Sequence, residues 1–132
     1  MAYEFSNSAV KVSRVAGEDL SAKQYHFVEL DKGDGTVKAV DAATDRPFGV
    51  LQNSPTSGQI AEITVVGGTK IEAGGTASVG EPLFSSASAT AVTLAFGTTG
   101  SAAFVVGTFV EDAAAGAITT AVIDCANAGR GL

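Results

Sequence analysis

Apolar and polar residues alternate along this chain in short stretches that glycine repeatedly interrupts. Val10 and Val12 oppose Lys11 and Ser13, and Tyr25 and Phe27 oppose His26 and Val28. Ile60 is followed by Ile63 and Val65. Val92, Leu94 and Phe96 fall on one face of a further stretch, and Ile118, Thr120 and Val122 on one face of the last. A period of two predicts half-buried strands. The run from Ala103 to Val110 is apolar in both phases, which predicts a strand covered on both sides or lying at a subunit boundary. The alanine-rich stretch from Asp112 ends at Gly116 and reads as a turn rather than a helix. With 16 Gly and only 3 Pro punctuating runs of Val, Ile, Thr and Phe, the expectation is an all-β fold, a small glycine-rich β-barrel or sandwich.

Sliding the chain against itself adds an internal echo. Ala16 and Gly17 align with Ala73 and Gly74 at an offset of 57 (73 − 16), which also pairs Ser21 with Ser78, Phe27 with Phe84 and Thr36 with Thr93. An offset of 58 then pairs Gly49 with Gly107 and Gly58 with Gly116. Two pseudo-repeated halves, residues 10–66 and 67–124, would account for this. Neither is long enough to bury a good core alone, so the two would pack as one domain. The expected organisation is an N-terminal arm over residues 1–8, one β domain over 9–125, and a C-terminal tail over 126–132.

Composition narrows the partners. Hydrophobic residues are 45% of the chain, too many for intrinsic disorder, and no apolar stretch is long enough for a membrane helix. The net charge of −6, without any Lys or Arg cluster, would repel a phosphate backbone, so neither nucleic acid nor membrane is an expected partner. The start lacks the basic and apolar regions of a secretory signal, which leaves synthesis in a cytoplasm as the expectation. Cys125 is alone and has no intramolecular disulfide partner, so stability must come from packing or oligomerisation.

The search for chemistry yields no catalytic, cofactor or metal site. His26 is the single histidine and sits within an alternating stretch, where a partly exposed ring is the plain reading. Cys125 reads as a small buried hydrophobe rather than a nucleophile. Asp31 to Gly35 resembles a calcium loop superficially, but lacks alternating ligands and a closing Glu; Asp-Gly between apolar runs is hairpin chemistry. Gly67, Gly68, Thr69 and Lys70 lack the first glycine of a phosphate loop and read as a tight turn. The carboxylates Glu18, Asp19, Asp41, Asp45, Glu81, Glu111 and Asp112 fall at expected turns.

Several stretches taken in order resemble the phage capsid cement, or head decoration, proteins: Val15 to Ala22, Asp31 with Gly35 to Ala39, Gly49 to Leu51, Ser57 and Gly58, and Glu72 to Gly74 with Val79 to Leu83. The likeness spans roughly residues 9 to 124. It implies a non-enzymatic protein made in the host cytoplasm that joins the outer surface of the virion head. There it would bind the major capsid protein and stabilise the shell, with a homotrimer the favoured oligomer. The family has no catalytic residues to carry over. Ala2, Tyr3, Glu4, Phe5, Ser6 and Asn7 precede the first strand with two aromatics lacking local partners, and form the candidate capsid-binding arm. The alternatives are a tail or fibre-associated β module, a carbohydrate-binding module, which the absence of Trp disfavours, and a hydrolase built from dispersed carboxylates.

Overall fold

The protein's structure, a computed structural model, describes residues 9–93 and 103–130, the last two by backbone alone. The candidate arm, residues 2–7, and Leu94 and Phe96 lie outside the described residues. Eleven short strands are present among those described: β1 Val10–Val15, β2 Phe27–Leu30, β3 Val37–Ala39, β4 Gly49–Leu51, β5 Ile60–Glu72, β6 Pro82–Ser85, β7 Ala91–Val92, β8 Phe104–Val105, β9 Gly107–Phe109, β10 Ile118–Asp124 and β11 Gly129–Arg130. One 3-10 turn, Cys125–Asn127, follows β10. The fold is all-β, as the alternation and glycine spacing predict.

Nine strands form one antiparallel sheet in the order β3-β2-β4-β5-β10-β9-β6-β7, with β1 paired to the first part of β5. The pairings recur along the chain. β1 meets β5 up to Val15↔Ile60, and the last part of β5 meets β10 up to Ile118↔Glu72; residue 15 lies 57 before 72, and 60 lies 58 before 118. Val28↔Gly49 of β2 and β4 corresponds to Leu83↔Gly107 of β6 and β9. Parallel bridges Ala16↔Val37 and Ala73↔Ala91 then bring the ends of each five-strand arc together. Gly17 N–H donates to Val37 O at 2.8 Å, and Gly74 N–H to Ala91 O at 2.7 Å. Each arc therefore curls on itself, and β5 serves both.

The registers revise two of the aligned pairs. Phe27, one place before Val28, stands where Pro82 does, one place before Leu83, so Phe84 is not its counterpart. The hairpin closed by Asp31 N–H to Thr36 O is matched by one closed by Ser86 N–H to Thr90 O, both at 2.8 Å, which makes Thr90 the counterpart of Thr36. Loop-length differences shift the offset between 54 (90 − 36) and 58, and a fixed offset misses such shifts.

Three local expectations also change. Tyr25 has φ 65, so β2 begins only at Phe27; its counterpart Gly80 holds φ 88, the left-handed region where glycine is unstrained. Gly67 and Gly68 lie inside the 13-residue β5 instead of at a turn, because β10 pairs directly with both, Val122↔Gly68 and Ile123↔Gly67, and carries the strand through. In β10, Ile118 and Val122 are exposed while Thr119, Ala121 and Ile123 are buried, so the face carrying Ile118, Thr120 and Val122 points outward. The run from Ala103 to Val110 is two strands broken at Val106.

Phe27, Leu20, Val37, Leu51 and Ile63 from the first arc join Ile71, Leu83, Phe109 and Ile123 from the second in one continuous core. Full burial of each large side chain contributes roughly 1.5–3 kcal/mol. The segment expected as a tail carries the 3-10 turn and β11, which pairs with β8.

Candidate functional site

The residues that sequence offered as chemistry are held in structural roles. His26 is buried, with Nδ1 3.1 Å from Gln24 O and Nε2 3.1 Å from Glu72 Oε2; the ring ties the first arc to the end of β5. Cys125 is buried, and burial first, then Asp124, pushes its thiol up to about 12. A thiolate nucleophile needs the opposite environment. Asp31 and Asp34 spend their carboxylates on their own hairpin: Gly33 N–H donates to Asp31 Oδ1 at 2.8 Å, and Thr36 Oγ1 donates to Asp34 Oδ1 at 2.7 Å. The Thr36 side chain, then its backbone N–H, holds the Asp34 carboxyl below its ordinary value. This is the turn chemistry expected of Asp-Gly.

A constellation of charges gathers around the β2–β3 hairpin and the segment that follows it. Glu29 sits directly opposite Lys38 in the register, and Lys38 Nζ lies 3.4 Å from Glu29 Oε1 and 3.7 Å from Asp41 Oδ2. Asp45 completes the group, with one oxygen from each of Glu29, Asp41 and Asp45 within 4.8 Å of the others. Burial, then hydrogen bonding and repulsion from Asp45, raises the Glu29 carboxyl to about 7, while Asp45 is lowered. Glu29 Oε2 is buried without a donor, and protonation of the Glu29 carboxyl would relieve its repulsion from Asp45. Among the described residues these three carboxylates are the group that could offer oxygen ligands to a cation, but the Lys38 ammonium already stands among them. Asp41 and Asp45 were legible only as turn carboxylates. The hairpin register that brings Glu29 and Lys38 face to face was the signal that could have found the group.

Beside it runs a groove of about 660 Å3, lined among others by Leu30, Arg46, Phe48, Val65 and Phe104. Arg46 spans it to donate to Ala126 O at 3.1 Å.

The other notable surface is β1. Of its six residues five are exposed and Val12 is half-buried. Val15 and its cross-strand partner Ile60 are 41% and 54% exposed. Lys11 and Arg14 share this strand, and Arg14 donates from Nε and a terminal nitrogen to Gly35 O at 3.0 and 2.6 Å. On the second arc Val79, Ile118 and Val122 are likewise exposed.

No family model and no curated protein sequence matches this chain. Among solved structures, the fold is similar to the head fiber gp8.5 N base in bacteriophage phi29, with a TM-score of 0.64 and 22% sequence identity. The match covers 93% of this chain and 97% of that one. At this identity the likeness is one of fold.

Proposed function

We propose that this protein is a non-enzymatic structural component of a bacteriophage head, which binds the outer surface of the assembled shell and stabilises the major capsid lattice. The observation that carries the reading is the fold shared over 93% of the chain with the base of a phage head fiber. The residue pattern resembling head decoration proteins points to the same structure class. Cys125 and His26, the two side chains best suited to catalysis, are both committed to packing and tethering, which supports a structural role.

In this reading Ala2 to Asn7 form an arm that adds to a major capsid protein, and the protein acts as a self-associated unit, a trimer favoured. Several weak contacts made at once by such a unit give avidity that a single copy lacks. The second reading is a fibre-associated module, favoured by the neighbour's description as a fiber base.

Co-sedimentation with purified heads lacking the protein tests the proposal. Saturable binding at a stoichiometry set by the shell is expected, and deletion of residues 2–7 should weaken it while leaving the fold intact. Binding to tails or fibres but not to heads would select the second reading.

A further inference from the structure

We infer that the exposed edge of β1 is a self-association surface that takes the far side of the second arc of another copy, head to tail. This supplies a surface for the self-association proposed above and rests on that part of it.

The interface between the two arcs provides the template. Glu72 N–H donates to Tyr25 O at 2.9 Å, Gln52 Nε2 donates to Thr69 Oγ1 at 2.8 Å, and His26 meets Glu72. Moving each residue to its counterpart places β1 of one copy where the end of β5 lies, and the surface around Gly80, Glu81 and Val110 of another copy where Tyr25, His26 and Gln52 lie. The groups needed are present. Ala16 N–H faces β5 through its bond to Gln59 O at 2.8 Å, so by strand alternation Val15 N–H faces outward, as Glu72 N–H does. Gly80 shares the left-handed conformation of Tyr25 and so aims its carbonyl the same way.

The side chains have changed to suit an interface between copies. The Gln52–Thr69 pair becomes Val110 against Val12, both half-buried and apolar. β1 carries the cations Lys11 and Arg14, and the opposite surface carries Glu81 and Glu111, a complementarity of sign within a protein that is acidic overall. Two further bonds of the template have no counterpart: the His26–Glu72 pair falls on Glu81 and Val15, and Phe27 N–H donates to Ala89 O at 2.8 Å, whereas Pro82 has no N–H to give. The matching acceptor, Gly35 O, is already bound by Arg14, so burial leaves neither group unsatisfied. The chain path also fits. β5 runs straight through Val66 and Gly67 from one arc to the next, but β10 stops at the equivalent Asp124, whose carboxylate accepts from Asn127 N–H at 3.2 Å and turns the chain aside. The line that β5 follows is thereby left for β1 of the next copy. A head-to-tail contact of this kind closes into a ring when its rotation permits.

The test uses Val12→Cys and Val110→Cys in the full chain with a short bis-maleimide; native Cys125, its thiol raised to about 12, does not compete. The double variant should link into species larger than a dimer, either single variant alone should remain one chain, and an equal mixture of the two should give linked pairs and nothing larger. Sedimentation of the unmodified chain is measured in parallel. Absence of linkage while the unmodified chain sediments as an oligomer would overturn this surface but leave self-association standing. A monomer mass at every concentration would overturn both, and head binding is read separately by co-sedimentation.

Discussion

Gly49 and Gly107, 58 positions apart, make the same close approach in the two arcs. A Cβ on Gly49 would stand 2.5 Å from Thr64 O, and one on Gly107 would stand 2.2 Å from Val122 O; residues 64 and 122 are also 58 apart. In both places a side chain would meet the backbone of the paired strand, which cannot yield without breaking the ladder.

Gly107→Ala should therefore destabilise by about 2–3 kcal/mol, the upper part of the range for an overpacked core. Gly116→Ala isolates backbone strain, since Gly116 has φ 81 and open space around it; about 1 kcal/mol is expected there. Urea unfolding of the two variants checks the contrast, and equal losses would show that the close approach is not what requires Gly107.

Glu29 predicts a pH dependence of stability. Its carboxyl is raised in the folded protein from 4.5 to about 7, so the folded state holds the proton more tightly than the unfolded chain. The stabilisation is complete below pH 4.5 and is lost as pH rises through 7. After allowance for solvent screening, Glu29→Gln should gain roughly 1–2 kcal/mol at pH 8 relative to the unmodified chain. It should also flatten the profile between pH 5 and 8. Thermal unfolding across that range is the measurement, and an unchanged profile would remove Glu29 as its cause.

His26 joins Glu72 across the arcs, so His26→Ala should cost on the order of 1–3 kcal/mol through lost packing of a buried ring and the lost pairing. Adding Glu72→Ala should cost less than the sum of the two single losses, because the variants remove one shared contact. A double-mutant cycle reads this coupling directly, and strict additivity would argue against the pair.

Cys125 should resist thiol reagents in the folded state, with its thiol raised to about 12 by burial. Labelling should proceed only as fast as the C-terminal region opens and accelerate in denaturant. Rapid native labelling would place the thiol in solvent instead.

The alternation of Val10 with Val12, the Asp-Gly hairpin at Asp34 and Gly35, and the spaced glycines made the strand-rich class legible, because strand periodicity and turn chemistry are local properties. The recurrence of Gly49 at Gly107 was legible for the same reason: a backbone contact that only glycine tolerates leaves its mark at one position. Which strands meet was decided by tertiary pairing. It carried β5 unbroken through Gly67 and Gly68, turned Ile118 and Val122 outward, and brought Glu29 against Lys38 beside Asp41 and Asp45. It also set Pro82, not Phe84, in the place of Phe27. Loop lengths shift sequence offsets without moving strands in space, so only the hydrogen-bonded register defines which residues are equivalent and which face they cover.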